Sequence, residues 1–277
     1  MARILSILVG LFFTVALAWS FATGAYTAAT EPAPATAEHE FHLLPKEVSF
    51  SSDGPFGKFD RQQLQRGFQV YKEVCAACHS LRLVAFRDLA ALGYNEAEVK
   101  AIAKGVQIPV YNDKTGEVET RDGIATDYFP PVAYGGAGSP PDLSLITKAR
   151  HDGGAYVDSL LTGYVSQEGF KNAKGEELLK EFPEAKTPDG LYFNPYFANL
   201  NLAMPAPLTG EGQVSYSDGT KATVAQMSKD VSAFLIWTAE PKLEKRKQTG
   251  WPVLFFLLFA TVLGYMAYRN IWADKKH

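Results

Sequence analysis

Cys75-Ala76-Ala77-Cys78-His79 is the stretch on which the reading of this chain turns. The sequence has 277 residues and only two cysteines, and both stand here. Thiols three positions apart can reach the two vinyl groups of one haem as thioethers, while the adjacent imidazole comes up beneath the iron. A redox dithiol needs no histidine after its second cysteine. A zinc half-site needs further Cys or His ligands, and the neighbouring sequence offers none. One such motif means one covalent haem c, which argues against multihaem reductases and dihaem peroxidases. Attachment would also leave no thiol for a disulfide.

A haem with both axial positions filled transfers electrons and does little else, so a second axial ligand is expected opposite His79. The four methionines are Met1, Met204, Met227 and Met266. Met1 and Met266 belong to the two apolar ends of the chain. Met227 recurs with apolar neighbours at helical spacing, which points to the core. Met204 stands in Leu-Ala-Met-Pro-Ala-Pro (202–207), where the prolines prevent helix and stiffen the backbone. A rigid loop can hold a thioether against iron. His42 and His151 compete for this position, His151 fitting a surface or propionate-side place better.

Around the motif, Leu64, Phe68, Tyr71 and Cys75 recur on one helical face, which predicts a helix from an N-cap at Asp60 through Val74. A second helix is predicted from Thr223, where Thr-Val-Ala-Gln fits a capping box, through Met227, Val231, Phe234 and Trp237 to Pro241. Glycine inside a helix costs about 1 kcal/mol relative to alanine. Gly67 therefore predicts a close crossing of helix 60–75 with helix 223–240. Between them the chain is rich in Pro, Gly, Tyr and Phe, as in 128–141 and 191–207, and reads as long loops wrapped around something. A buried cofactor would supply the reason.

The ends are apolar. Ile4 to Trp19 follows a lone Arg3 and precedes small residues at Ala22, Gly24 and Ala25, so residues 1–25 read as an export signal or an uncleaved anchor. Residues 26–54 form a leader, its part around 26–45 rich in Ala, Pro, Thr and Glu and expected to be flexible. Residues 55–248 read as one domain without internal repeats. Trp251 to Tyr268 is about 18 residues without a charge, enough for a transmembrane helix, and the segment 250–269 carries interfacial aromatics in Trp251, Tyr265 and Tyr268. Basic residues flank it on both sides (Lys242, Lys245, Arg246 and Lys247; Arg269, Lys275 and Lys276) and do not decide its direction. The export signal does: the domain is expected on the periplasmic side of the inner membrane and the tail 270–277 in the cytoplasm. A net charge of -3 is too mild for a nucleic-acid partner.

From about Gly57 onward the chain resembles cytochrome c1, the haem subunit of the ubiquinol–cytochrome c reductase (bc1) complex. The resemblance rests on Arg-Gly-Phe-Gln-Val-Tyr-Lys-Glu-Val-Cys (66–75), Cys-His-Ser-Leu (78–81), Pro-Pro-Asp-Leu-Ser (140–144) and Lys-Ala-Arg-His (148–151). Leu-Leu-Thr-Gly-Tyr (160–164), Phe-Asn-Pro-Tyr-Phe (193–197), Met204 and Trp-Thr-Ala-Glu-Pro (237–241) complete it. It implies a mainly α fold: a cytochrome c-like haem domain with long loop insertions, plus a C-terminal transmembrane helix.

The resemblance implies that Cys75 and Cys78 are the thioether positions, His79 the proximal ligand and Met204 the distal one. Arg150 matches a position that pairs with a haem propionate, and Tyr156 one that lines the haem. Where many relatives carry an Asn pair before Pro140, this chain has Tyr-Gly-Gly-Ala-Gly (134–138), so hydrogen bonding near Gly135 and Gly136 departs from the family pattern. An extra cysteine pair found in some bacterial relatives is missing too. The implied role is electron transfer from the iron–sulfur subunit to a soluble or anchored cytochrome c, beside cytochrome b, with no substrate transformed in this subunit. A free-standing anchored shuttle and a haem sensor or oxidase subunit are the alternatives.

Overall fold

The computed structural model describes residues 2–31, 35–136 and 138–275; residues 32–34 of the leader, Ala137 of the Tyr-Gly-Gly-Ala-Gly stretch, and Met1, Lys276 and His277 lie outside the described residues. Helix α1 (Ala2–Thr30) is apolar and buries none of its residues. Helix α2 (Ala37–Phe41) is capped by the Thr36 hydroxyl, which accepts from the His39 N–H. The flexible leader predicted around 26–45 is instead held down from α2 onward. Phe41 is 1% exposed and packs against Phe170 and Phe182, with ring centroids 6.4 and 6.0 Å away. Leu178, Phe193 and Leu200 close this small second core, and the Leu43 N–H donates to the Pro195 carbonyl at 2.8 Å. A polar, proline-rich surround hid one anchoring aromatic.

Asp60 caps α3 (Arg61–Val70), its carboxylate accepting from the N–H groups of Gln62 and Gln63 at 3.0 and 3.2 Å. The α-helix stops earlier than the predicted Val74. Tyr71–Cys75 winds as one wider π turn, closed by the Ala76 N–H on the Tyr71 carbonyl at 2.8 Å. Such turns mark sites where a helix is bent to a purpose. A 3₁₀ turn (Phe86–Leu92) and α4 (Glu96–Lys104) follow, the latter with a full capping box between Asn95 and Glu98. The loop-rich reading missed a hairpin: β1 (Gln107–Asn112) pairs antiparallel with β2 (Glu117–Asp122), Tyr111 opposite Val118. Short helices α5 (Ile146–Ala149), α6 (Gly153–Leu161) and α7 (Leu178–Glu181) lie among the long loops, with a two-residue pairing of β3 (Tyr192–Phe193) and β4 (Asn201–Leu202).

Helix α8 (Val224–Ala239) is the centre of the core. It begins as predicted, with the Thr223 hydroxyl accepting from the Gln226 N–H at 3.1 Å. The other half of the predicted capping box does not form, because the Gln226 amide donates to Asp230 at 2.8 Å. Helices α3 and α8 cross at Gly67. A Cβ there would fall 2.0 Å from the Asp230 carbonyl oxygen and 2.7 Å from the Phe234 Cβ. Around the crossing Phe68, Tyr71 and Trp237 pack on Phe234 at centroid distances of 5.6, 5.8 and 5.7 Å. Beside it the Asp230 side chain, 0% exposed, accepts from Arg66 Nε at 2.9 Å and Gln63 Nε2 at 3.1 Å.

Three residues after α8 the chain enters α9 (Leu243–Trp272). Helices α1 and α9 are both long and apolar enough to cross a membrane. The architecture is mainly helical, as expected.

Gly67→Ala should cost about 1–3 kcal/mol, the range for overpacking a filled core, because the new methyl meets backbone rather than a mobile side chain. Thermal unfolding of the haem-loaded protein measures it; an unchanged midpoint would contradict so close a crossing.

Candidate functional site

The π turn delivers Cys75 and, one turn on, Cys78 and His79, tied by the His79 N–H on the Cys75 carbonyl at 2.9 Å. Burial, with the Cys78 thiol beside it, pushes the Cys75 thiol up to about 12. A redox dithiol needs the opposite shift, toward thiolate. Among the described residues no group of three or more His, Cys, Asp or Glu side chains converges as a metal cluster would.

His79 is held from two sides. Its Nδ1 lies 2.8 Å from the Pro141 carbonyl, to which it can only donate, and its own carbonyl accepts from the Tyr71 hydroxyl at 3.0 Å. With Nδ1 protonated, Nε2 is left with a lone pair. The strap 140–144 that carries Pro141 is zipped to residues 80–83. The Leu143 N–H donates to the Ser80 carbonyl at 2.9 Å. The Asp142 carboxylate accepts from the Arg82 N–H (2.8 Å), the Ser144 N–H (2.9 Å) and the Ser80 hydroxyl (3.1 Å). Burial opposes ionisation of Asp142, yet hydrogen bonds from Arg82, Ser144 and Ser80 outweigh it and hold its pKa below the usual range.

A cavity of about 550 Å³ opens along this strap, lined by Arg82, Leu83, Pro141, Asp142, Leu145, Ile146, Ala149 and Arg150. Arg150 is exposed at its edge, donating to the Ala149 carbonyl at 3.2 Å. It lies beside the Tyr156 hydroxyl: burial raises the Tyr156 pKa while the guanidinium pulls the other way. Tyr164, half-buried and near Tyr156, has its pKa raised as well, and its hydroxyl donates to the Met204 carbonyl at 2.9 Å. Arg150, Tyr156, Tyr164 and Met204 thus form a chain of neighbours. Gly138, in the loop that leads into the strap, reaches the same region, its Cβ position 3.5 Å from Ala203.

Met227 is 0% exposed in the main core, His42 ends α2, and His151 is exposed in a turn. Reading the sequence missed Tyr71, Pro141, Asp142 and Tyr164 as supports of the site. All four stood in quoted motifs, and the Asp142 carboxylate and Tyr164 hydroxyl in otherwise stiff segments were the available signal.

The Cytochrome C1 family model matches residues 50–275. The chain belongs to the cytochrome c1 family. Cytochrome c1 of Rhodospirillum rubrum is 41% identical over 243 residues, which cover 82% of this chain and 87% of that one. Cytochrome c1 1, heme protein, mitochondrial, of Arabidopsis thaliana is 39% identical over 271 residues, covering 95% and 82%. Cytochrome b/c1 of Bradyrhizobium diazoefficiens is 44% identical over 248 residues, covering 83% of this chain, while the chain spans only 36% of that longer relative. As a cytochrome c1 the chain is a haem-bearing electron-transfer subunit of the bc1 complex. It carries a single covalent haem c, with which Cys75 and Cys78 are consistent. The donor set fits that group: two adjacent thiols without other partners, and an imidazole whose Nδ1 is already committed.

The lowered Asp142 pKa has a testable sign. A depressed carboxylate stabilises the fold above its unfolded value of about 3.9 and loses that contribution as pH falls through the folded value. Asp142→Asn should flatten the loss of thermal stability of this cytochrome c1 below pH ~4. An acid limb of unchanged steepness would show that the strap is held otherwise.

Proposed function

We propose that Cys75 and Cys78 are the thioether positions, His79 Nε2 the proximal ligand and the Met204 sulfur the distal one. In this reading Arg150 pairs with a propionate and Tyr156 lines the pocket. The observation that carries it is the His79 Nδ1–Pro141 hydrogen bond, which fixes the tautomer and frees Nε2 for iron. The bound haem supplies a one-electron iron couple whose potential a neutral thioether ligand raises.

The rest is done by the chain. Pro141 orients the imidazole and raises its basicity. Asp142 holds the strap that carries Pro141. Tyr164 fixes the Met204 backbone, so the proline-stiffened loop has one way to face inward. Arg150 offers a planar cation suited to a carboxylate.

Electrons would come from the iron–sulfur subunit and leave to a cytochrome c, and this subunit would transform no substrate itself. Cytochrome b completes the assembly. The domain would stand on the periplasmic side of the inner membrane, anchored by α9 as a single pass, with residues 1–25 removed as a signal or kept as a second anchor.

Met204→Leu should keep the covalent haem but open the distal position. Its potential should fall by on the order of 100 mV or more, and the reduced form should bind carbon monoxide. An unchanged potential without carbon monoxide binding would move the ligand elsewhere, with His151 the first to test. Stopping the chain before Trp251 should release a soluble haem protein from carbonate-washed membranes. Retention in membranes of that truncated chain, with its N-terminal segment removed as well, would overturn the α9 anchor.

A further inference from the structure

The loop between Phe50 and Asp60 is bound to the first turns of α9. The Lys247 ammonium donates to the carbonyls of Ser52 and Gly54, both at 2.6 Å, and the Glu244 carboxylate accepts the Phe59 N–H at 2.7 Å. The turn is tight: a Cβ on Gly57 would fall 1.9 Å from the Asp53 carbonyl oxygen. This clamp holds Phe56, 76% exposed, flat on Trp251, with centroids 5.4 Å apart and planes 11° from parallel. The stacked pair is continuous with the exposed apolar side chains of α9, and an exposed apolar patch of that extent marks an interaction surface.

Trp251 is also where the apolar run of α9 begins, after the uncharged Gln248, Thr249 and Gly250. At about 1.5 Å per residue, Lys247 stands roughly 6 Å above it on the domain side. Lys58 is exposed in the clamped loop, and Lys245 and Lys242 are exposed roughly 9 and 14 Å above Trp251; none of the three pairs with an acid among the described residues. Of the nearby acids, Glu240 is paired with Arg246 and Lys148, while Glu244, Asp53 and Asp60 accept from backbone N–H groups of Phe59, Phe50 and Gln62 and point their charge into the fold's own donors. The face is thus an aromatic pair at the edge of an apolar span beneath a collar of free ammonium groups. That is the chemistry of an anionic lipid interface.

We propose that loop 51–58 and the first turns of α9 form a lipid-docking face, with Phe56 and Trp251 at the boundary between headgroups and acyl chains and Lys58, Lys242 and Lys245 holding anionic headgroups. The proposal rests on α9 crossing the bilayer. It is tested in the haem-loaded full chain, within its purified complex, reconstituted in vesicles. A fluorophore on Pro55→Cys reports contact with nitroxide-headgroup phosphatidylglycerol or phosphatidylcholine. A second one on Val262→Cys reports contact with an acyl-chain nitroxide.

Both lipids should quench the label at 55, the anionic one several-fold more strongly. Lys58→Gln, Lys242→Gln and Lys245→Gln together should level the two lipids, and Phe56→Ser should weaken quenching by both. If the label at 262 is quenched while the label at 55 meets neither lipid, the face is covered by another subunit or by water and the proposal fails. Equal quenching by the two lipids, unmoved by the lysine substitutions, overturns the anionic preference. A silent label at 262 overturns the span and the docking face with it.

Discussion

Where α3 meets α8, the absent side chain of Gly67 brings two backbones to a separation that no larger residue permits. That approach makes possible what lies on either side of it. Toward one end, Arg66 and Gln63 reach across to a fully buried Asp230. Toward the other, Phe68 and Tyr71 pack on Phe234. A buried carboxylate without partners would be costly, and a buried ion pair is weak evidence for net stability. Its value here is registry, because the pairing is satisfied in only one alignment of the two helices. Tyr71 then passes that alignment to the site through its hydroxyl on the His79 carbonyl.

The site is built as a set of straps rather than a preformed box of helices. The Cys75–His79 corner grows out of the end of α3, and Tyr156 and the Ile146–Ala149 wall come from short helices. Pro141 and Met204 come from loops, and each loop is secured by a polar group that does not belong to the chemistry. Asp142 gathers donors from Ser80, Arg82 and Ser144, and Tyr164 holds the Met204 carbonyl. Loops of this length are ordered because hydrogen bonds and a shared apolar wall replace the missing helices.

Much of this was readable from local pattern. The bounds of α8 and the start of α3 followed from capping residues and apolar spacing, and Gly67 announced the crossing because its cost needed a reason. The resemblance to cytochrome c1 was carried by ordered blocks around the haem motif, and the family comparison bears it out. What stayed hidden depends on partners far along the chain. Nothing near Asp230 foretells Arg66, 164 residues away, nor that Gln226 would leave its cap to join them. Phe41 looked like part of a polar leader because its pocket is made by residues from 170 to 200. The hairpin at 107–122 was legible in its alternation, but a Pro and Gly count taken over the whole region drowned it.

The passage from α8 to α9 takes three residues, and Lys247 and Glu244 pin the second helix to the domain at once. A tethered domain with a slack leash samples many headings, and an incoming protein must wait for a good one. This domain has little slack, so its headings are few and nearly constant relative to α9. Orientation is the factor that slows most protein encounters below the diffusion limit. For any protein that docks on the domain, part of that cost would be met once, during folding, by the fixed setting on α9.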